Sequence, residues 1–214
     1  MSNNFDFFAV LQEFCSQQGS SKASQNALYT LSLHDALPIS CPYDFIRATV
    51  ATITGDLSEF SGAPSIGPSE RFIAATMLVS FMKDHSRLVE GEAMEYVRES
   101  MMNALMNDTT LDRGMSRKVC VILSRCARET FPSSWPQLPD QIMELVNNAE
   151  ENYQQRWNGL MLAHQVMVQL HAIKVDENSR FDEIAARFAE PTVQWIQFLG
   201  NNLVQNTNEG YFED

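Results

Sequence analysis

The feature that most constrains the fold is the spacing of the apolar residues, which recur at intervals of three and four along most of the chain. An α-helix has about 3.6 residues per turn, so this spacing gathers apolar side chains on one face of a helix. No stretch shows the strict apolar–polar alternation that is typical of a half-buried strand. The sequence therefore predicts an all-α chain made of amphipathic helices.

Proline, glycine and serine residues predict where several of these helices begin and end. Pro42 is expected to begin one helix and Gly55 to end it, because proline suits the first helical turn and glycine suits the position after the last. Ser69 is the expected N-cap of the next helix. A last helix is expected to begin near Ser179 and to be interrupted or kinked by Pro191.

The expected helices form pairs, each a first helix, a loop and a second helix. The first helices begin near residues 4, 42, 91, 137 and 179, so the pairs repeat at intervals of about 38, 49, 46 and 42 residues. These intervals are typical of HEAT and armadillo units, whereas a tetratricopeptide array has a period near 34. The sequence predicts a right-handed superhelix of HEAT-like antiparallel helix pairs, a single array over residues 1–214. Its repeats are expected at 4–40, 42–86, 90–131, 137–173 and 179–206, about four and a half in all.

The net charge is −12, from 27 acidic and 15 basic residues, which argues against nonspecific binding to nucleic acid. The acidic excess either attracts basic partners or only keeps the chain soluble, and the sequence leaves both open. No apolar run approaches the roughly 18 residues that a membrane span needs, and the N-terminus has no signal-peptide pattern. We therefore expect a cytosolic or nuclear protein with no membrane insertion.

The sequence has no recognisable catalytic or metal-binding pattern, so we expect no enzyme, no cofactor and no metal. His164 and His171 are seven residues apart, and burial in the helix is favoured over a ligand role because ligand pairs are usually four apart. Glu92, Glu95 and Glu99 are expected on a solvated helix face. The helix that contains the two histidines is predicted from the spacing of Tyr153, Trp157, Leu160, Met161, His164 and Val168.

The four cysteines, at positions 15, 41, 120 and 126, form no Cys-x-x-Cys pair, and we expect them to be reduced and mostly buried.

Positive charge is concentrated in one expected helix. Five of the 15 basic residues lie between Arg113 and Arg128, with no acidic residue among them. On a helical wheel Arg113, Arg117, Ser124 and Arg128 lie within about 40° of one direction, opposite the apolar residues. We call Arg113, Arg117 and Arg128 the basic ridge. It is either a partner-binding face, expected on the concave side of the array, or a solvated face balanced by acids on neighbouring helices.

Thr30–Ile39, with the sequence TLSLHDALPI, resembles the translation of a common sequencing-adapter oligonucleotide. The alternative is a genuine turn containing Pro38. We interpret residues 30–39 as an artefactual insert, expect them to be poorly adapted to their surroundings because Pro38 would break a helix there, and assign them no functional residue.

The most specific motif is Phe131–Leu138, FPSSWPQL, between two expected helices. Pro132 is expected to end one helix, Trp135 to fill the space between helices, and Pro136 to begin the next. The motif resembles the aromatic-Pro-x-x-Trp-Pro-x-Leu junction near the third repeat of the importin-β superfamily of nuclear transport receptors. Residues 7–28, 69–85 and 156–175 resemble helices of the same receptors, closest in character to the importin-eleven type.

The resemblance covers most of the chain outside residues 30–39. It implies an N-terminal fragment of a much longer receptor that binds the small GTPase Ran in its GTP form near these repeats. It also implies carriage of protein cargo, contact with nucleoporins, and shuttling between nucleus and cytoplasm. The alternative is a HEAT-repeat assembly scaffold of a phosphatase or vesicle-coat complex.

Overall fold

The computed structural model describes residues 42–60, 64–147, 153–171 and 184–190, together with the single positions Phe7, Phe8, Leu11, Asp182, Val193, Gln194 and Gln197. These residues form helices, turns and loops, and no strand occurs among them. The prediction of an all-α chain is therefore confirmed for this part of the sequence. Cys15, Cys41, Ser179, Pro191 and the adapter-like residues 30–39 lie outside the described residues, so the predictions made for them stay predictions.

Among the described residues, six longer helices follow one another in sequence. They are α1 (Pro42–Thr54), α2 (Pro68–Asp84), α3 (Glu92–Asn107), α4 (Arg113–Thr130), α5 (Leu138–Asn147) and α6 (Tyr153–His171), with a 3-10 turn at Ser86–Leu88 between α2 and α3. None of the helices in the described ranges is long and apolar enough to cross a membrane.

The chain divides into two compact units, residues 1–129 and residues 130–214. In the first unit α1 packs against both α2 and α3. In the second unit α5 packs against α6. Two of the predicted helix pairs, at 42–86 and 137–173, therefore contain helices that do pack together.

The core of the first unit is built around α1, which is buried along most of its length. The Phe45 ring lies 5.9 Å from the Phe7 ring and 5.0 Å from the Phe81 ring, measured between centroids. Two threonines share this interior because their hydroxyls donate to backbone carbonyls one turn earlier, Thr49 to Phe45 and Thr52 to Ala48. Aromatic burial and satisfied hydroxyls together stabilise α1 as the central helix of the unit.

The helix ends confirm one predicted boundary and correct another. Gly55 follows α1 with φ of 76°, the left-handed conformation that glycine adopts without strain. The prediction that Ser69 is the N-cap of α2 is wrong, because the helix begins at Pro68, two residues earlier than that cap implies. Gly67 is the cap, and its N–H donates to Glu70 Oε2 at 3.1 Å. Proline needs no hydrogen-bond partner for its nitrogen at the first helical position, which favours this earlier start.

The second unit holds α5 and α6 in close contact at a glycine. A Cβ added to Gly159 of α6 would lie 2.8 Å from Val146 Cγ2 and 3.0 Å from Leu145 Cβ, both on α5. Arg156 Nε donates to the Val146 carbonyl at 3.1 Å, at the end of α5 where carbonyls lack helical partners. The absence of a side chain at position 159 therefore permits the approach of these two helices.

Candidate partner-binding surface on helix α4

Helix α4 is amphipathic, and its apolar face is buried. Asp112 precedes the helix, and its Oδ1 accepts the Met115 N–H at 2.7 Å, which satisfies one of the open donors of the first turn. The buried apolar residues of α4 are Met115, Val119, Cys120, Ile122, Leu123, Cys126 and Ala127. Burial of this face directs most of the basic side chains of α4 to the opposite side.

The basic ridge is exposed at its three arginines but is not continuous. Arg113, Arg117 and Arg128 are exposed, as the helical wheel predicts. Ser124, which the wheel places among them, is fully buried, and its hydroxyl donates to the Val121 carbonyl at 2.8 Å. The prediction for Ser124 is wrong because packing covers the helix at this turn. The ridge therefore consists of Arg113 and Arg117 at one end and Arg128 at the other.

The two ends of α4 differ in how their charges are balanced. Arg128 Nε lies 4.0 Å from Glu129 Oε1, and both side chains are exposed. The half-buried Arg125 has a lowered pKa, chiefly because of burial and then because of Arg128, while the nearby Asp84 raises it. In the described ranges no carboxylate forms an ion pair with Arg113, Arg117 or Lys118. The N-terminal half of α4 is thus the less compensated half.

Lys118 and Phe72 form a contact that the sequence did not predict. Lys118 Nζ lies 5.2 Å from the centroid of the Phe72 ring, which is 42% exposed although it belongs to an otherwise well-packed helix, α2. The pKa of Lys118 is lowered by burial and, to a smaller extent, by the charge of Arg117. Nothing in the spacing of a single helix could reveal this pair, because it joins two helices.

The Phe131–Leu138 junction has the buried tryptophan that its sequence predicts. Phe131 and Trp135 are 1% and 2% exposed, and the Trp135 Nε1–H donates to Gln141 Oε1 at 2.8 Å. The Trp135 backbone N–H donates to the Thr130 carbonyl at 3.2 Å, at the last residue of α4. Trp135 is thus hydrogen-bonded both to the last residue of α4 and to a residue of α5.

Neither proline of the junction is the first or last residue of a helix. Pro132 is half-buried, follows the end of α4, and is joined to Phe131 by a cis peptide bond. Pro136 is exposed and does not begin the following helix, since α5 starts two residues later at Leu138. The Leu138 N–H donates to the Trp135 carbonyl at 3.3 Å, so a turn intervenes before the helix.

The candidates for other chemistry fall on exposed surfaces or in the core. Glu92, Glu95 and Glu99 are exposed, as predicted, and no group of three His, Cys, Asp or Glu in the described part of the chain could hold a metal ion. Cys120 and Cys126 are buried reduced thiols, also as predicted. Burial raises the pKa of both, to about 12 for Cys126.

Helix α6 forms where the sequence predicts it, but the residues whose spacing marks it are not its buried face. His164, His171, Tyr153 and Val168 are exposed. The face that is buried carries Asn158, Gly159, Leu162, Ala163, Val166 and Leu170. Helix α6 has apolar residues on more than one side, and the small residues around Gly159 select the side that approaches α5.

The first unit also contains a polar cavity of about 390 Å³ that the sequence did not predict. Its carboxylates are all engaged by neighbouring groups of the protein. Asp56 accepts from the Ser58 hydroxyl, Glu59 pairs with Arg47, and Asp108 accepts from Arg71 and from the Thr110 hydroxyl. Although burial alone raises the pKa of Asp108, its bonds from Thr110 and Arg71 lower it overall. We interpret the cavity as a structural network of hydrogen bonds.

Comparison of the chain with family models, with curated proteins and with solved structures found no match. The exposed charges of α4 and the junction that follows it are therefore the features from which a function is inferred.

Proposed function

We propose that this chain is a helical-repeat binding scaffold with no catalytic activity, the N-terminal part of a nuclear transport receptor. In this proposal it binds Ran in its GTP form, carries protein cargo, contacts nucleoporins, and shuttles between nucleus and cytoplasm. The observation that carries the proposal is the junction at Phe131–Leu138. Its tryptophan is buried and hydrogen-bonded, which supports the structural role that the resemblance assigns to Trp135.

The proposed architecture is a right-handed stack of antiparallel helix pairs. In a solenoid each pair contacts its neighbours, and its apolar surface is buried by stacking. Within the first unit α1 packs against its predicted pair partner, α2, and also against α3, the first helix of the next predicted repeat. Both kinds of contact are those that a stack of repeats requires.

The basic ridge is the proposed contact surface for Ran. Arg113 and Arg117 are exposed and form no ion pair among the described residues, so an acidic partner can interact directly with their charges. Exposed charges of this kind raise the rate of encounter more than the final affinity, and salt screens them. The proposal therefore predicts association that is fast at low ionic strength and slows as salt is added.

The decisive experiment compares the binding of the full chain to Ran loaded with a non-hydrolysable GTP analogue and to Ran loaded with GDP. The nuclear transport proposal predicts clear preference for the GTP form. The alternative, a phosphatase or vesicle-coat scaffold, predicts no dependence on the nucleotide. Equal binding to both forms, or no binding, would exclude the transport proposal.

A second measurement tests the ridge by comparing association rates over a salt series. The test variant carries Arg113→Ser, Arg117→Ser and Arg128→Ser, and the control carries Lys83→Ser and Arg87→Ser, two exposed cations outside α4. We expect the ridge variant to bind several-fold more slowly at low salt with a flatter salt dependence. If its rate and salt slope match those of the unchanged chain, the ridge is only a solvated face.

A further inference from the structure

We propose that the surface formed by Phe72, Arg113, Gly114, Arg117 and Lys118 binds an acidic segment of a partner protein that carries an apolar side chain between its carboxylates. We call this surface the aromatic–basic patch. It lies within the first unit and joins α2 to the first turns of α4. The inference goes beyond the nuclear transport proposal, because it concerns a peptide-binding site that requires neither Ran nor a nucleotide.

The apolar part of the patch is the Phe72 ring. Single exposed apolar residues are common on protein surfaces and carry no meaning alone. Phe72 differs because Lys118 Nζ lies 5.2 Å from its ring centroid, so the ring is held under a cation. Position 114 is a glycine, where a Cβ would touch Phe72 Cε2 at 3.8 Å and Asp112 Oδ1 at 3.2 Å. The glycine therefore leaves this edge of the ring uncovered for an incoming side chain.

The polar part of the patch is a set of three cations. Arg113 and Arg117 are exposed, Lys118 is half-buried, and none of them pairs with a carboxylate among the described residues. The nearby Asp112 accepts the Met115 N–H with its Oδ1 but keeps its negative charge, so the three cations exceed this adjacent acid by two charges. Burial lowers the pKa of Lys118, and the neighbouring charge of Arg117 lowers it further. An acidic partner would relieve the repulsion between these charges.

The chemistry of the patch favours an acidic peptide over a nucleic acid. A net charge of −12 repels a long polyphosphate chain, which extends well beyond the patch. A short acidic segment is instead governed by the local cations, because salt limits charge interactions to about 8 Å. An apolar residue within that segment can pack on Phe72, and an aromatic anchor surrounded by charge is a common arrangement at protein interfaces.

The test uses fluorescence anisotropy with the full chain and a labelled peptide of glutamates around one central tryptophan. Comparison probes are an all-glutamate peptide, a peptide with serine in place of glutamate, and a single-stranded oligouridylate of similar length. We expect the first peptide to bind most tightly and its affinity to fall as salt is added. Tighter binding of the oligouridylate, or equal binding of all probes, would overturn the proposal.

Variants locate the site and separate it from the ridge. We expect Phe72→Ala and the double variant Arg117→Ser, Lys118→Ser each to weaken binding of the glutamate–tryptophan peptide about fivefold or more. Arg128→Ser removes a ridge residue outside the patch, so it should leave peptide binding unchanged. If Phe72→Ala also leaves it unchanged, the patch has no apolar anchor and the proposal fails.

A matched control is available for the aromatic substitution. Tyr43 is 45% exposed, and Arg47 lies 5.8 Å from its ring centroid, but Arg47 is paired with Glu59. Tyr43→Ala should therefore leave peptide binding unchanged, and an effect equal to that of Phe72→Ala would overturn the assignment. Circular dichroism of each variant shows whether the fold is retained. A failure of Ran binding does not affect these readouts, so the two proposals can fail separately.

Discussion

Replacement of Trp135 by alanine should destabilise the second unit strongly, because this side chain is 2% exposed and hydrogen-bonded. A buried aromatic removes roughly 150–250 Å² from water, worth about 4–6 kcal/mol at about 25 cal/mol per Å². Alanine retains a small part of this burial, so the expected loss is about 3–5 kcal/mol, the usual range for such a replacement.

Two further variants divide this loss between packing and hydrogen bonding. Gln141→Met removes the acceptor of the Trp135 Nε1–H bond, which is 2.8 Å long, and should cost about 1–3 kcal/mol because it leaves a buried donor without that partner. Trp135→Phe keeps an aromatic ring and should cost less than Trp135→Ala. Because the two residues share a bond, the double variant should cost less than the sum of the single changes.

The assay is urea unfolding followed by circular dichroism at 222 nm, with Ser133→Ala as a control at an exposed position of the same junction. The urea concentration at the unfolding midpoint should be well below that of the unchanged chain for Trp135→Ala, and it should equal that of the unchanged chain for Ser133→Ala. A Trp135→Ala variant within about 0.5 kcal/mol of the unchanged chain would refute the assignment of Trp135 as the structural centre of the junction.

Three further predictions concern the first unit. Glu70→Ala should cost about 1 kcal/mol in urea unfolding, because its carboxylate accepts the Gly67 N–H, whereas Ser69→Ala should change nothing; equal effects would contradict the cap assignment. Asp108 has a lowered pKa in the fold, so the stability it contributes is present at neutral pH and is lost as pH falls through that pKa. The difference in urea midpoint between the unchanged chain and Asp108→Asn should therefore be full at pH 7 and shrink below about pH 4; a difference that is constant with pH would contradict this. Cys126, whose pKa is raised to about 12 by burial, should resist iodoacetamide at pH 8 until urea unfolds the chain, as peptide mapping can show; rapid modification of the folded protein would contradict its burial.

Local signals predicted both ends of α1 and part of the candidate site. Pro42 and Gly55 bound α1 as expected, because both act through their own backbone geometry. Trp135 was placed correctly in the interior, since a large aromatic side chain gains much from burial. The predicted N-cap of α2, Ser69, lies two residues after the observed cap, Gly67. A glycine has no side chain to signal a cap, and here the Glu70 carboxylate accepts the Gly67 N–H instead.

What the sequence determined by itself is the direction in which each side chain leaves its own helix. That direction follows from 3.6 residues per turn, and it correctly predicted the exposure of Arg113, Arg117 and Arg128. Only the tertiary structure determined which of these side chains another segment of the chain covers. It buried Ser124 within the ridge and left His164 in solvent, although helical periodicity predicts the opposite for both.

The same reason explains why the aromatic–basic patch was invisible in the sequence. Phe72 and Lys118 belong to different helices, and each follows the pattern of its own helix without reference to the other. Their contact depends on the distance between α2 and α4, which side-chain volumes in the shared core determine. Periodicity acts within one helix, whereas a binding surface is made where two helices meet.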